Sequence, residues 1–139
     1  MVLAQPKSSF CLSEVKIGLI PAVISPYVVR VMGERQARRY MLTAERFFAE
    51  KALQAGLVTE IVEEFEDTLP SLLEALLNNS PQALGACKRL IRGVAHQPTS
   101  DQVRRFTIEE IAKIRVSDEG QEGLTAFLEK RAPQWQSKS

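Results

Sequence analysis

The stretch FCLSEVKIGLIPAVISPYVVRVMGERQARRYMLTAERFFAEKALQAGLVTEIV, residues 10–62, decides the reading of the chain. Its opening, FCLSEVKIG (10–18), leans toward β-structure through Phe10, Leu12, Val15 and Ile17, which predicts one strand or extended segment. Gly18 and Pro21 interrupt regular structure. Ser25 followed by Pro26 then signals a helix start, the hydroxyl capping a free amide and the ring fitting the first helical position. A short helix is predicted from about Pro26 to Met32, with Gly33 at its end. Ala37, Tyr40, Met41 and Ala44 recur at helical spacing, with Arg35, Arg38 and Arg39 on other faces, so Glu34 to Ala44 reads as an amphipathic helix. A further short helix, Ala49 to Ala55, ends at Gly56, and LVTEIV (57–62) is the other strand candidate.

Outward from this stretch the pattern is helical. Leu69, Leu72, Leu73, Leu76 and Leu77 form one apolar stripe, stopped by Asn78, Asn79, Ser80 and Pro81. Ser80-Pro81 restarts a helix carrying Leu84, Cys87, Ile91 and Val94. Ser100 or Asp101 caps a third, with Val103, Phe106, Ile111 and Ile114, and Ser117 caps a fourth, with Leu124, Phe127 and Leu128 on one face and Pro133 closing it. The first nine residues are polar. The predicted class is therefore mainly α with about two short strands, and two isolated strands seldom form a stable sheet, so they are expected to pair outside what the sequence reveals.

Composition narrows the function classes. With 139 residues, 45% of them hydrophobic and 25% charged, the chain suits one ordinary globular core. A formal net charge of +1 gives no reason to expect nucleic acid or an anionic membrane as partner. No apolar run reaches the roughly 18 residues needed to cross a bilayer, and the start, MVLAQPKSS, lacks the hydrophobic stretch of a signal peptide, which predicts a cytoplasmic setting. Cys11 and Cys87 suit neither a disulfide framework nor a metal motif, and His96, the single histidine, has no second ligand at metal spacing. No metal site is expected. Arg35, Arg38 and Arg39 are interleaved with Glu34 and Glu45, which predicts a solvated helix face rather than an anion site.

Four motifs in fixed order carry a resemblance: F-x-x-x-E-x-x-x-G-x-x-P from Phe10 to Pro21, LT-x-ER from Leu42 to Arg46, A-x-x-A-x-x-x-GLV from Ala49 to Val58, and EG-x-x-AFLEKR from Glu122 to Arg131. Joined by SPQALGACKRLI (80–91), they make the chain resemble the C-terminal half of the enoyl-CoA hydratase/isomerase, or crotonase, superfamily, over nearly everything from Phe10 to Trp135. Any one motif alone is weak; the ordered combination is specific.

The resemblance implies the end of a crotonase-like spiral of ββα units in residues 1–65 and a helical oligomerisation region in 66–139, assembled as trimers or dimers of trimers. It implies acyl thioesters of coenzyme A as substrates, no permanently bound cofactor, and syn addition of water to an α,β-unsaturated acyl group. Hydration requires a base for the attacking water and an acid for the α-carbon, work that two carboxylates share. Glu14 falls where the family's proton-delivering glutamate falls. Its partner glutamate and the glycine-rich part of the oxyanion hole would lie upstream of Glu14, and no glycine-rich segment here supplies them. Loss of one oxyanion donor typically costs on the order of a hundredfold or more in rate, so incompetence of this chain by itself is expected. Read without the family, Glu14 is a solvated acid at a strand edge.

Phe127 and Lys130 correspond to residues that in several relatives reach the coenzyme A of a neighbouring subunit, ring near adenine and ammonium near phosphate. Read without the family, they are a core ring and a solvated cation on a helix, and Trp135 is a packing residue. After Pro21 the sequence AVISPYVVR replaces the glycine-rich stretch of common hydratases and is similar to hydratases acting on 3-methylglutaconyl-CoA-like thioesters. Two other readings stand beside the hydratase half: a non-catalytic helical oligomerisation module, and a Δ3-Δ2-enoyl-CoA isomerase relative using a single glutamate.

Overall fold

The computed structural model describes residues 1–138 and is mostly helical. It divides at Leu69 into two compact units. The boundary falls inside a helix.

The first unit holds four strands of two residues each: β1 (Leu3–Ala4), β2 (Ser9–Phe10), β3 (Phe47–Phe48) and β4 (Glu60–Ile61). Parallel β1 and β4 pair Leu3 with Glu60 and Ala4 with Ile61, while antiparallel β2 and β3 pair Ser9 with Phe48 and Phe10 with Phe47. This corrects the expectation of two strands seeking partners elsewhere: each predicted strand finds its mate within the chain. Thr59 N–H donates to Val2 O at 2.7 Å and Val62 N–H to Ala4 O at 2.9 Å, extending the parallel ladder beyond its two formal pairs. Two-residue strands are too short for an alternating pattern to register, which is why β1 and β3 escaped the sequence. The predicted strand over 10–18 survives only at Phe10, because the chain coils into a 3-10 turn, Glu14–Ile17, closed by Gly18 in the left-handed conformation.

The two helices predicted over 26–44 form one element, α1 (Ser25–Thr43), broken at Gly33. Gly33 has φ 75° and ψ 161°, a region open essentially to glycine alone, so the kink is written in that residue. Helix α2 (Ala49–Gln54) lies against β3 and β4, and its Ala49 and Ala52 are wholly buried. A larger side chain at either position would push the helix off the strands, which gives the A-x-x-A motif its physical content. The core comprises Ala4, Val28, Met32, Ala37, Tyr40, Phe47, Ala49, Ala52 and Val58, with Phe10, Leu12 and Met41 packed on its edge. Tyr40 stacks on Phe47 at 3.9 Å between ring centroids, and Phe10 on Phe47 at 5.6 Å.

Helix α3 (Phe65–Leu77) carries the leucine stripe and contains Pro70, which cannot donate to the turn below it. The second unit then follows the predicted capping signals. Helices α4 (Pro81–Val94), α5 (Asp101–Arg115) and α6 (Asp118–Glu129) begin after Ser80, Ser100 and Ser117, whose hydroxyls accept the N–H groups of Ala83, Val103 and Gly120. Glu119 adds a cap that spacing does not reveal: from α6 its carboxylate accepts the Ser80 hydroxyl at 2.5 Å and Gln82 N–H at 2.9 Å at the start of α4. Gly120 is packed so closely that an added Cβ would meet the Ile114 carbonyl oxygen at 2.1 Å. Gly120→Ala is expected to destabilise the chain by roughly 1–3 kcal/mol, because backbone must move to relieve the clash. Urea midpoints of the two proteins at constant slope measure this, and equal midpoints would show that the turn yields freely.

Candidate active site

Glu14 is positioned from both sides. Upstream, Phe10 is held by its pairing and stacking with Phe47, and the Cys11 thiol donates to Ala44 O at 3.4 Å. Downstream, Lys16 N–H donates to Ser13 O at 3.0 Å, and Leu19 N–H to Glu14 O at 3.0 Å, fixing the 3-10 turn. The residue is half-buried, and its Oε2 is shut off from solvent with no hydrogen-bond partner among the described residues. A buried carboxylate oxygen without a donor costs folding free energy, on the order of 1–3 kcal/mol or more, and in native proteins such groups call for an explanation. The solvated strand-edge acid expected from spacing alone does not describe this oxygen.

The segment that follows is apolar and open. Ile17, Leu19, Ile20, Val23 and Tyr27 are all exposed, although on α1, which carries only Tyr27 of the five, Val28 and Met32 are buried. Glu14 is followed in the chain by this exposed apolar stretch.

Phe127 and Lys130 share the C-terminal end of α6, in the second unit. Phe127 is 80% exposed, so it is no core ring. Lys130 adopts the left-handed conformation at φ 55° and closes the helix, its N–H donating to Phe127 O at 3.3 Å. Arg131 anchors this end: its guanidinium donates to both oxygens of Glu122 at 2.6 and 3.0 Å and to Glu129 at 2.7 Å, and Glu122 also accepts Gln134 N–H at 2.9 Å. Trp135 packs as a tail residue, its indole N–H donating to Asn78 O at 3.2 Å. The nine-residue separation of Glu122 and Arg131 crosses a helix end, so helical spacing does not predict their pairing.

The hydrogen bonds from Arg131 hold the Glu122 carboxyl below the usual carboxylate range, and those bonds hold Arg131 above its own. A carboxylate whose folded pKa is depressed stabilises the fold above its unfolded pKa, about 4.3 for glutamate, and loses that contribution as pH falls through the folded value. The stability gap between this chain and Glu122→Gln is therefore expected to be full at pH 7 and to close below about pH 4. Urea midpoints across that range test it; a gap independent of pH would show packing, not charge, to be what Glu122 provides.

The arginines on α1 behave as a helix face. Arg38 pairs with Glu34 at 2.7 Å, and Arg39 pairs with Glu45, whose carboxyl is held below its usual range by that hydrogen bond. His96 is exposed, at φ 62° just past α4. Among the described residues no group of three or more His, Cys, Asp or Glu side chains is placed to hold a metal, and no helix is long and apolar enough to cross a membrane.

The chain belongs to the enoyl-CoA hydratase/isomerase family, whose model it matches over residues 1–138. It is 53% identical to a structure of an enoyl-CoA hydratase from Shewanella pealeana, with a TM-score of 0.91 over 96% of this chain and 50% of that one. An enoyl-CoA hydratase/isomerase (crotonase) structure from Legionella pneumophila is 44% identical, with a TM-score of 0.86 over 96% of this chain and 52% of that one. Among curated relatives, a carnitinyl-CoA dehydratase of Salmonella typhi is 27% identical over 99% of this chain and 55% of its own length. The chain spans about half the length of the relatives it matches.

Proposed function

We propose that the chain is the later half of an enoyl-CoA hydratase subunit, in which Glu14 delivers a proton to the substrate, and that it is inactive without the other half. The observation that carries this reading is the sequestered, unpartnered Oε2 of Glu14, the residue that the motif resemblance matches to the family's acid/base glutamate, in a chain whose fold follows that of the Shewanella hydratase. In hydration, a second carboxylate takes a proton from water as its oxygen bonds to the β-carbon. The π-electrons move toward the thioester oxygen, and Glu14 gives a proton to the α-carbon. The charge on that oxygen needs oxyanion donors, which the family resemblance puts upstream of Glu14.

The substrate class that AVISPYVVR supports is a branched α,β-unsaturated thioester of the 3-methylglutaconyl-CoA type. The exposed apolar end of α6, with Leu124, Phe127 and Leu128, supports a homo-oligomer, trimer or dimer of trimers, with Phe127 and Lys130 reaching coenzyme A on a neighbour. The same exposed end would serve a non-catalytic oligomerisation module equally well. Loss of enoyl-thioester absorbance separates the readings. It is followed with crotonyl-CoA and 3-methylglutaconyl-CoA, and the appearance of that absorbance with carnitinyl-CoA, for this chain alone and for a chimera completed with the unmatched half of the Shewanella hydratase. Turnover by the chimera alone is the expected result. Turnover by neither assigns the module, and turnover by the chain alone removes the requirement for a second half.

A further inference from the structure

We propose that Ser25 is a positioning residue for Glu14, its hydroxyl closing the loop that leads from the Glu14 turn into α1. The inference rests on the hydratase reading and adds to it a residue that none of the four ordered motifs contains.

The hydroxyl is not spent where the sequence suggests. Ser25 stands before Pro26 as a helix cap would, yet Ile24 occupies the cap position of α1 and its side chain accepts no amide. Ser80, Ser100 and Ser117 do accept amides at their helix starts. The Ser25 hydroxyl instead donates backward to Ala22 O at 2.9 Å. Pro26 explains the difference. A helical turn would offer Ala22 O the amide of the residue four positions on, and that residue is the proline, which has no N–H. The hydroxyl of Ser25 supplies the donor that the ring removes.

From there hydrogen bonds reach back to Glu14. Ser25 N–H donates to Pro21 O at 2.9 Å, Ala22 N–H to Ile20 O at 2.8 Å and Leu19 N–H to Glu14 O at 3.0 Å. Side-chain packing adds little to them: Leu19, Ile20 and Val23 are between 59 and 89% exposed, and of residues 19–25 only Pro21 is buried. A loop with few buried contacts takes its shape from its hydrogen bonds. The 3-10 turn Glu14–Ile17 is no firmer, since it has four residues and none of them is fully buried, so its flanks set its place. Phe10 and Cys11 hold the upstream flank, and the loop closed by Ser25 holds the downstream one. Without the hydroxyl, Ala22 O is left to water, and Glu14 loses its fixed approach to the α-carbon.

The test compares Ser25→Ala with Ser25→Thr, which keeps the hydroxyl, in the chimera with the Shewanella half and in the isolated chain. In the chimera, Ser25→Ala is expected to lower kcat about tenfold while KM changes less than about twofold, and Ser25→Thr to keep kcat within about twofold of the unaltered protein. In the isolated chain, Ser25→Ala is expected to speed hydrogen exchange of the Leu19 amide at least about threefold, with Ser25→Thr close to the unaltered chain. Unchanged kcat in Ser25→Ala, an equal loss in Ser25→Thr, or unchanged exchange at Leu19 would overturn the proposal and leave the hydratase reading standing. A loss carried by KM would overturn it as well, by assigning Ser25 to substrate holding. A chimera without turnover removes the hydratase reading and the effect on kcat with it, and exchange at Leu19 then decides whether Ser25 sets the Glu14 turn.

Discussion

Glu14→Gln, introduced into the chimera completed with the Shewanella half, is expected to lower hydratase kcat by about 10²- to 10⁴-fold with little change in KM. The amide is nearly isosteric with the acid, so the 3-10 turn and its bonds from Lys16 and Leu19 persist, and only the capacity to transfer a proton is lost. A loss confined to kcat distinguishes proton delivery from substrate holding, because an interaction made equally before and during the reaction would appear in KM. The buried Oε2 makes a second reading available in the same protein. Relief of an unpartnered carboxylate oxygen is expected to leave the isolated chain as stable as before or somewhat more stable, whereas a structural glutamate would destabilise on substitution. Full retention of kcat would remove Glu14 from the chemistry. Loss of both stability and kcat would make it a packing residue whose removal disturbs the site.

Much of the helical architecture was legible because it rests on local rules. Ser80, Ser100 and Ser117 announce helix starts through hydroxyls that accept amides three residues on, and the structure places them so. Gly33 announces a break that helical spacing on either side makes look like two helices. The strands were poorly legible because each is only two residues long, and what fixes them is tertiary: Phe47 belongs to a strand because Phe10 and Tyr40 stack on it. The site divides in the same way. An ordered motif singles out Glu14, but the sequestration of one of its oxygens depends on what surrounds the turn, and no spacing reports it. Nor does spacing report the Glu119 cap or the Arg131 clamp, whose partners lie 39 and 9 residues away.

Phe47→Ala is expected to cost about 3–5 kcal/mol, a large share of the 5–15 kcal/mol typical of a whole domain. Phe47 is 3% exposed and lies under both Tyr40 and Phe10, so its removal leaves a cavity that α1 and β2 cannot jointly close. The neighbouring Phe48 is 54% exposed on the same strand, and Phe48→Ala is expected to cost less than about 1 kcal/mol. The comparison cancels what is common to the two substitutions, including lost β-propensity, and isolates burial. Urea midpoints at unchanged slope measure both; similar costs would place the weight on strand pairing and not on the ring stack. The effect reaches the chemistry as well. Phe10 stacks on Phe47 and stands four residues before Glu14, so loosening that stack loosens the upstream anchor of the turn. At a temperature where the Phe47→Ala chimera remains folded, kcat is expected to fall at least tenfold, since misplacing a catalytic group by a fraction of an ångström to 1 Å costs on the order of ten- to a hundredfold. The core of the first unit and the placement of Glu14 then depend on the same aromatic contact.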